Sequence, residues 1–144
     1  MKTKFGEIYE IDDDPARVDY PLVASWLAQT YWSPGISLQR VELAAKNSSL
    51  IIGCYHTQGQ AGYMRVVSDR ARFAYLLDVI VDEPHRGKGI GRQMVRLALE
   101  NPEFANVDFW ILATLDAHGV YSRLGFAPLP EPERWMIRRR PELS

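Results

Sequence analysis

The chain has 144 residues, of which 47% are hydrophobic and 24% charged, a balance typical of one globular domain spanning residues 1–144. Its 17 basic and 18 acidic side chains leave a formal net charge of -1, which argues against a general attraction for nucleic acid or an anionic membrane. The single cysteine, Cys54, excludes an intramolecular disulfide, and His56, His85 and His118 lack metal-ligand spacing, so we expect no metal.

The first third of the chain predicts one strand followed by two helices. Residues 5–11 alternate apolar and polar side chains, as a half-buried strand does. Apolar residues recur at helical spacing over residues 20–31, and Ser37 can cap a second helix over residues 38–46. Trp32 lies in the loop between these helices, where it either lines a binding pocket or closes the core.

The middle of the chain predicts three strands. Residues 50–56 and 61–67 are apolar segments separated by a Gly-containing turn, which favours an antiparallel hairpin with Cys54 as a buried thiol. Residues 73–81 form a nearly continuous apolar run, typical of a central strand covered on both faces.

The last third predicts a long helix from Gly89 to Asn101-Pro102, a strand over residues 107–112, a short helix over 117–124 and a final strand over 133–138. The predicted order is βααβββαβαβ, an α/β fold of the α+β kind with a mixed, mostly antiparallel sheet and about four helices.

The sequence has no apolar stretch long enough to span a bilayer and no N-terminal run that resembles a signal peptide, so we expect a cytoplasmic protein with no membrane partner. The basic run at residues 138–140 is interpreted as a solvated end of the chain, and nucleic acid is not expected as a partner. Trp135 either packs inward or sits at the contact of a possible homodimer.

The segment between the central strand and the long helix carries the chemistry. It contains the run Arg86-Gly87-Lys88-Gly89-Ile90-Gly91. Glycine allows backbone N–H groups to turn inward and form a concave nest for a phosphate. The helix that begins here adds its free N–H groups and the positive end of its dipole. The sequence therefore predicts an anion site.

Other glycine-rich loops fit this segment less well. A nucleoside triphosphate loop requires Ser or Thr directly after its Lys, and this chain instead ends the run with Gly91-Arg92. A dinucleotide-binding loop belongs near the start of a series of βαβ units, whereas this one follows antiparallel hairpins. A plain tight turn remains the structural alternative, although it does not need three alternating glycines beside two cations.

The spacing of Arg86, Gly89 and Gly91 resembles the coenzyme A pyrophosphate loop of the GNAT superfamily of N-acetyltransferases. The similarity extends over roughly residues 48–126. Downstream, it includes a second signature made of an Ala, a Tyr four residues later, and a Gly-Phe pair. In this sequence that signature is Ala117, Tyr121 and Gly125-Phe126.

The resemblance implies a sheet splayed apart at two strands that end near Val81 and Thr114, with the pantetheine arm of acetyl-CoA in the gap. Backbone groups of Val79, Ile80 and Val81 would hold this arm and polarise the thioester carbonyl. The N–H groups of residues 86–91 would hold the pyrophosphate. The implied reaction is direct attack of a neutral amine on the thioester, without a covalent enzyme intermediate.

The resemblance also implies a general acid. Tyr121 aligns with the tyrosine that protonates the leaving thiolate in this family, the alternative being a packing tyrosine on a short helix. Thr114 stands seven residues earlier, where the family often has Asn, so its contact with the cofactor is an open point.

The general base is the least defined residue. Asp78 interrupts an apolar strand, and a carboxylate there needs a partner or an exposed cleft, which makes it either a catalytic candidate or a structural ion-pair partner. His118 and ordered water are alternatives. Arg40 and Arg65 suggest either an acidic group on the acceptor or ordinary solvated side chains.

The resemblance therefore implies an N-acetyltransferase that moves an acetyl group from acetyl-CoA to a primary amine of a small molecule or peptide. The alternative is a non-catalytic coenzyme-A-binding sensor or interaction module with the same fold, which the Thr114 departure and the undefined base would suit.

Overall fold

The computed structural model describes residues 1–141. Their strands and helices follow in the order ββααβββαβα. The strands are β1 Lys2–Phe5, β2 Tyr9–Asp12, β3 Leu50–His56, β4 Gly59–Ser68, β5 Phe73–Val81 and β6 Phe109–Ile111. The helices are α1 Tyr20–Leu27, α2 Leu38–Lys46, α3 Ile90–Leu99 and α4 His118–Ser122.

The six strands form one sheet in the order β1-β2-β3-β4-β5-β6, so each strand pairs with its neighbour in sequence. All pairs are antiparallel except β5 and β6, which run parallel. This parallel pairing covers only Phe73–Tyr75 of β5 and Phe109–Ile111 of β6. Within residues 1–141, no strand therefore pairs with the second half of β5, residues 76–81, on its β6 side. The predicted splay of a mixed, mostly antiparallel sheet is confirmed.

A β-bulge interrupts β5 in this second half. Tyr63 of β4 pairs with Ile80, but Arg65 pairs with Leu77, so β5 carries one more residue than β4 across this interval. Asp78 lies in the bulge with a φ of 54°, a left-handed conformation that is uncommon for residues other than glycine. The bulge bends the strand where its pairing with β6 has already ended.

Helices cover both faces of the sheet. Tyr63 of β4 packs with α1 and α2 in a core cluster that includes Val23 and Val41. The neighbouring Gly62 faces α3, since a Cβ at Gly62 would lie 3.1 Å from Cε of Met94. Successive strand residues point to opposite faces, so α1 and α2 lie on one side and α3 on the other. These two layers fix the position of the β5–α3 connection.

Helix α3 is held by one apolar face. Its buried residues recur at helical spacing and are Ile90, Met94, Val95 and Ala98. Gly89 precedes the helix with a φ of 83° and provides no side-chain cap, so the first N–H groups of α3 have no capping side chain from this residue. The predicted long helix after β5 is confirmed, as are the β3–β4 hairpin and the Ser37 cap, whose Oγ accepts a hydrogen bond from the N–H of Arg40.

The prediction of a single first strand is wrong. Residues 5–11 belong to a hairpin in which Phe5 pairs with Tyr9, and Gly6 turns the chain with a φ of 66°. A tight turn of this length keeps Tyr9 and Ile11 buried, as the alternating pattern requires, so the pattern alone does not distinguish a strand from a hairpin.

Three further expectations are corrected. The final strand over residues 133–138 is wrong, because Pro132–Arg134 form a 3₁₀ turn and Met136 is 97% exposed. The central strand is covered on both faces only in part: Ile80 packs with the α1–α2 cluster and Val79 and Val81 lie against α3, but Tyr75 in the first half of β5 is 38% exposed. The first helix ends at Leu27 rather than near residue 31.

The chain divides into two compact units, Met1–Thr114 and Leu115–Ser144. The first contains the whole sheet and α1 to α3. The second is described up to residue 141 and contains α4, which is followed by Gly125 with a φ of 95°. A single domain over residues 1–144 stays a prediction, and its last three residues lie outside the described part. In residues 1–141 we find no helix with the length and apolarity needed to cross a bilayer.

Candidate active site

The anion loop, residues 86–91, connects the open half of β5 to the start of α3. Gly87 and Gly89 have φ values of 81° and 83°, which L side chains rarely adopt. No heavy atom lies within 4 Å of the position that a Cβ would take on Gly87. The two glycines thus bend the backbone twice within three residues, and the space beside Gly87 is open. The arrangement matches a nest of N–H groups at a helix N-terminus.

The two ends of the anion loop are fixed by different contacts. Ile90 is 1% exposed and inserts into the core, so only its backbone is available to a ligand. At the other end the Nε of Arg86 donates a hydrogen bond of 2.9 Å to the carbonyl of Val81. Gly91 is already helical, and a Cβ there would meet Cγ2 of Val81 at 3.7 Å. The helix start therefore packs closely on the end of β5.

A cluster of aromatic side chains adjoins the anion loop from the β2–β3 side of the sheet. The Tyr9 hydroxyl and Nδ1 of His85 are 2.7 Å apart, and the rings of His85 and His56 are 4.5 Å apart. Burial, followed by the nearby His56, lowers the pKa of His85 from its ordinary value. A neutral His85 is thereby favoured next to the loop. No pattern in the sequence pointed to Tyr9, because the contact joins residues 76 positions apart.

The bulge in β5 is surrounded by polar groups. Asp78 accepts a hydrogen bond of 2.7 Å from Nε of Arg65 and one of 3.1 Å from Nε1 of Trp32. The Arg65 and Asp78 side chains are 16% and 11% exposed, so this ion pair is largely shielded from water. The Asp78 carboxylate therefore has a cationic partner and a second donor, as the structural alternative for this residue requires.

Trp32 lies at the surface and not in the core. Its side chain is 43% exposed, and its ring meets that of Tyr31 edge to face at 5.0 Å. The interpretation of Trp32 as a core residue is wrong, because the loop between α1 and α2 places its indole N–H on Asp78 instead. An exposed aromatic pair thus stands next to the bulge.

The remaining predicted residues occupy three places. Val79, Ile80 and Val81 lie in the open half of β5, on the bulge's C-terminal side. Thr114 follows β6 at the end of the first unit. Tyr121 lies in α4 of the second unit, where its ring meets that of Phe126 edge to face at 5.9 Å.

Cys54 is not suited to nucleophilic chemistry. The thiol is fully buried in β3, and burial raises its pKa to about 11. The thiolate is the nucleophilic form of cysteine, and this pKa leaves almost none of it at neutral pH. The expectation of a buried strand thiol is confirmed.

One open cavity of about 840 Å³ lies elsewhere, between α2 and the start of β3. Its lining carries acidic and basic groups together, including Glu42, Lys46 and Glu103. It contains no residue of the open half of β5 or of the anion loop. In residues 1–141 no group of three or more His, Cys, Asp or Glu side chains is arranged to hold a metal ion.

The chain is similar to known proteins over most of its length. Residues 5–126 match the sequence profile of the Acetyltransferase (GNAT) family. A crystal structure from Xanthomonas campestris pv. campestris, described as belonging to the GNAT family, is 36% identical and superimposes with a TM-score of 0.89, covering 95% of this chain and 96% of that one.

Two further comparisons support narrower conclusions. A candidate acetyltransferase from Deinococcus radiodurans R1 has a TM-score of 0.72 at 17% identity, covering 97% of this chain and 94% of that one, which shows the fold alone. An uncharacterized N-acetyltransferase of Pyropia yezoensis, ycf52, is 27% identical over 105 residues, or 69% of this chain and 60% of that protein. The chain thus spans about three fifths of the length of the curated relatives it matches.

Proposed function

The chain belongs to the GNAT family of acetyltransferases, and on this basis we propose that it transfers an acetyl group from acetyl-CoA to the primary amine of a small molecule or peptide. The observation that carries the proposal is the junction of an open strand edge with a glycine-bent anion loop. Acetyl-CoA would supply the thioester, whose carbonyl carbon is the electrophile.

The anion loop fits a diphosphate. Positive φ values at Gly87 and Gly89 and the first turn of α3 present main-chain donors beside open space. Lys88, which is exposed, adds a positive charge at the rim. We assign diphosphate binding to the N–H groups of residues 86–91, with Arg86 fixing the turn through the Val81 carbonyl.

The open half of β5 fits an extended amide-bearing chain. Residues 76–81 are paired with β4 on one side and lack a strand partner on the β6 side within residues 1–141. An extended ligand can therefore take the place of a strand. We assign the pantetheine arm to the backbone of Val79, Ile80 and Val81, whose N–H groups would also polarise the thioester carbonyl. Thr114, after β6, would contribute a side-chain hydroxyl to the opposite wall.

Transfer requires one bond to form and one to break. The acceptor nitrogen forms a bond to the carbonyl carbon, the carbon–sulfur bond breaks, and the sulfur leaves with the electron pair. We propose that the Tyr121 hydroxyl donates the proton that converts the leaving thiolate to a thiol. The amine gives up one proton to a base or to water, so the overall reaction is balanced.

Asp78 is a candidate for that base, but its surroundings favour a second role. Its carboxylate accepts hydrogen bonds from Arg65 and Trp32, so both of its oxygens already have donors. The same bonds anchor the exposed aromatic pair of Tyr31 and Trp32 beside the thioester position that the proposal implies. We therefore propose that the acceptor lies against Trp32, with Asp78 either taking its proton or holding this wall in place.

Thiol release tests the proposal. The purified protein is incubated with acetyl-CoA and a panel of primary amines, and free coenzyme A is measured with a thiol reagent. We expect turnover with at least one amine, and in Tyr121→Phe we expect turnover to fall by about a hundredfold or more, the range typical for removal of a general acid. Ser25→Ala, an exposed position on α1 outside the site, serves as the control and should retain full activity.

The outcomes separate enzyme from binding module. No turnover with any amine, together with tight coenzyme A binding, would favour the non-catalytic sensor. Undiminished turnover of Tyr121→Phe would remove the acid role but keep the enzyme. For Asp78→Asn, a loss of kcat that is rescued at high pH supports the base role, whereas a raised KM for the amine with unchanged kcat supports the positioning role.

A further inference from the structure

The N-terminal hairpin approaches the anion loop at two places, the residue that precedes the loop and Gly89 within it. The Tyr9 hydroxyl of β2 lies 2.7 Å from Nδ1 of His85, the residue directly before the loop. The Cζ of Phe5, at the end of β1, lies 3.7 Å from the position of a Cβ on Gly89. The hairpin therefore lies against the loop in addition to β5 and α3.

The hydrogen bond between Tyr9 and His85 is well placed to hold the backbone. Tyr9 is 7% exposed, so its hydroxyl needs a partner inside the protein, and within residues 1–141 that partner is His85. The phenol and Nδ1 share one proton across this 2.7 Å contact, and which atom donates depends on the tautomer of His85. The His56 ring lies against that of His85 at a tilt of 43°, with the ring centroids 4.5 Å apart, and so restricts its rotation. The His85 side chain is thus fixed from two strands.

The loop needs such support because ordering a glycine costs more conformational entropy than ordering any other residue. Gly87 and Gly89 have more backbone freedom than any other residue type, and that freedom must be lost before the N–H groups converge. Ile90 fixes the α3 end in the core, while the strand end has the Arg86 bond to Val81 and the Tyr9 bond to His85. When the loop is already ordered, ligand binding does not have to offset the free-energy cost of ordering it, and the affinity is higher.

We propose that Tyr9 and His85 are positioning residues that hold the anion loop in its ligand-binding conformation, through a hydrogen bond between the N-terminal hairpin and the start of the loop. This inference rests on the proposed function, since the ligand in question is coenzyme A. It assigns a role in cofactor affinity to a strand that lies three places away from β5 in the sheet.

Isothermal calorimetry with coenzyme A is the first test. Tyr9→Phe removes the hydroxyl and keeps the ring, and we expect its Kd to rise about three- to tenfold, the effect of one lost hydrogen bond. His85→Leu should have a similar effect. His85→Asn retains a side-chain amide that can donate or accept near the Nδ1 position and should stay within about twofold of the wild type. The double variant Tyr9→Phe/His85→Leu should bind no more weakly than the worse single variant.

A matched control separates positioning from stability. Tyr20 donates a hydrogen bond of 2.9 Å to the carbonyl of Pro15, away from the loop. Tyr20→Phe loses a comparable bond and should keep the wild-type Kd. In turnover assays, Tyr9→Phe should raise the KM for acetyl-CoA at unchanged kcat, whereas a merely structural loss would lower the active fraction and hence the apparent kcat.

Hydrogen exchange of the Gly87 and Gly89 amides provides a readout that needs no ligand. We expect faster exchange at both amides in Tyr9→Phe than in the wild type or in Tyr20→Phe. A folded Tyr9→Phe with unchanged exchange and unchanged Kd overturns the inference. If the wild type fails to bind coenzyme A at all, the proposed function fails, and the exchange rates alone then decide whether the hairpin orders the loop.

Discussion

Gly89 and Gly91 are two residues apart, yet the backbone makes different demands at each position. Gly89 has a φ of 83°, where any Cβ is strained, whereas Gly91 is helical and a Cβ there would make ordinary contacts with Val81 at 3.7 Å and Val79 at 3.9 Å. The two positions therefore form a natural pair for separating backbone strain from side-chain size.

We predict that Gly89→Ala destabilises the fold by about 1–2 kcal/mol and weakens coenzyme A binding, because the loop must leave its left-handed conformation. Gly91→Ala should change the free energy of unfolding by less than about 1 kcal/mol, since alanine is favoured in helices. Urea unfolding and calorimetry measure both effects. Equal losses in the two variants would show that the positive φ is not the cause.

Asp78 has both a strained backbone conformation and an ion pair with Arg65. Two substitutions can separate the effects of these features on the free energy of unfolding. Its φ of 54° is tolerated by Asn and disfavoured for β-branched residues. We predict that Asp78→Asn costs about 1–2 kcal/mol through the weakened bond to Arg65. Asp78→Val should cost about 2–4 kcal/mol, because it adds backbone strain and leaves the Arg65 charge unpaired. Chemical denaturation measures both, and a smaller loss for Val than for Asn would contradict the bulge as described.

At the scale of elements, the β1–β2 hairpin should make stability depend on pH. The pKa of His85 is lowered in the folded chain, chiefly by burial and then by His56, so the unfolded chain takes up this proton first. The stability that neutral His85 contributes is fully present above the pKa of the unfolded chain, about 6.5, and is lost as the pH falls through the pKa of the folded chain. We predict a lower midpoint of urea unfolding at pH 5.5 than at pH 7.5, with a smaller difference in His85→Asn. If the wild type and His85→Asn show the same difference between the two pH values, titratable groups other than His85 cause the pH dependence.

The element order was largely predictable from the sequence, because hydrophobic period and breakers act locally. The hydrophobic periodicity correctly predicted β3, β4 and β5. Ser37 marked the start of α2, and Asn101-Pro102 marked the end of α3. The anion loop was likewise readable as a glycine-rich strand–helix junction. The prediction of a strand over residues 133–138 was wrong because three consecutive apolar residues satisfy a strand pattern, while the part of the chain that the structure describes pairs no strand with them.

The parts that the sequence did not predict depend on contacts between distant residues. The bulge at Asp78 arises from the register between β4 and β5, which no residue type signals on its own. The Trp32 bond to Asp78 spans 46 positions, so the exposed aromatic loop was equally compatible with a core residue. Only Gly6 offered a local signal for the missed hairpin, as a glycine inside an alternating run.

At the scale of the whole molecule, ligand binding should stabilise the folded chain. A ligand that binds only the native state adds about 2.7 kcal/mol at a concentration one hundred times its Kd. We predict that coenzyme A at that excess raises Tm by roughly 5–15 °C. Differential scanning fluorimetry measures this shift. In Gly89→Glu a carboxylate beside the nest should abolish it by steric overlap and like charge, and a full shift in this variant would place the ligand elsewhere.

The open half of β5 has a second consequence, which concerns self-association. An unpaired strand edge is the usual template through which sheets of different molecules join and aggregate. Here the kink at Asp78 breaks the regular repeat of main-chain donors and acceptors that an incoming polypeptide would need. We therefore expect this irregularity to disfavour growth into fibres edge by edge.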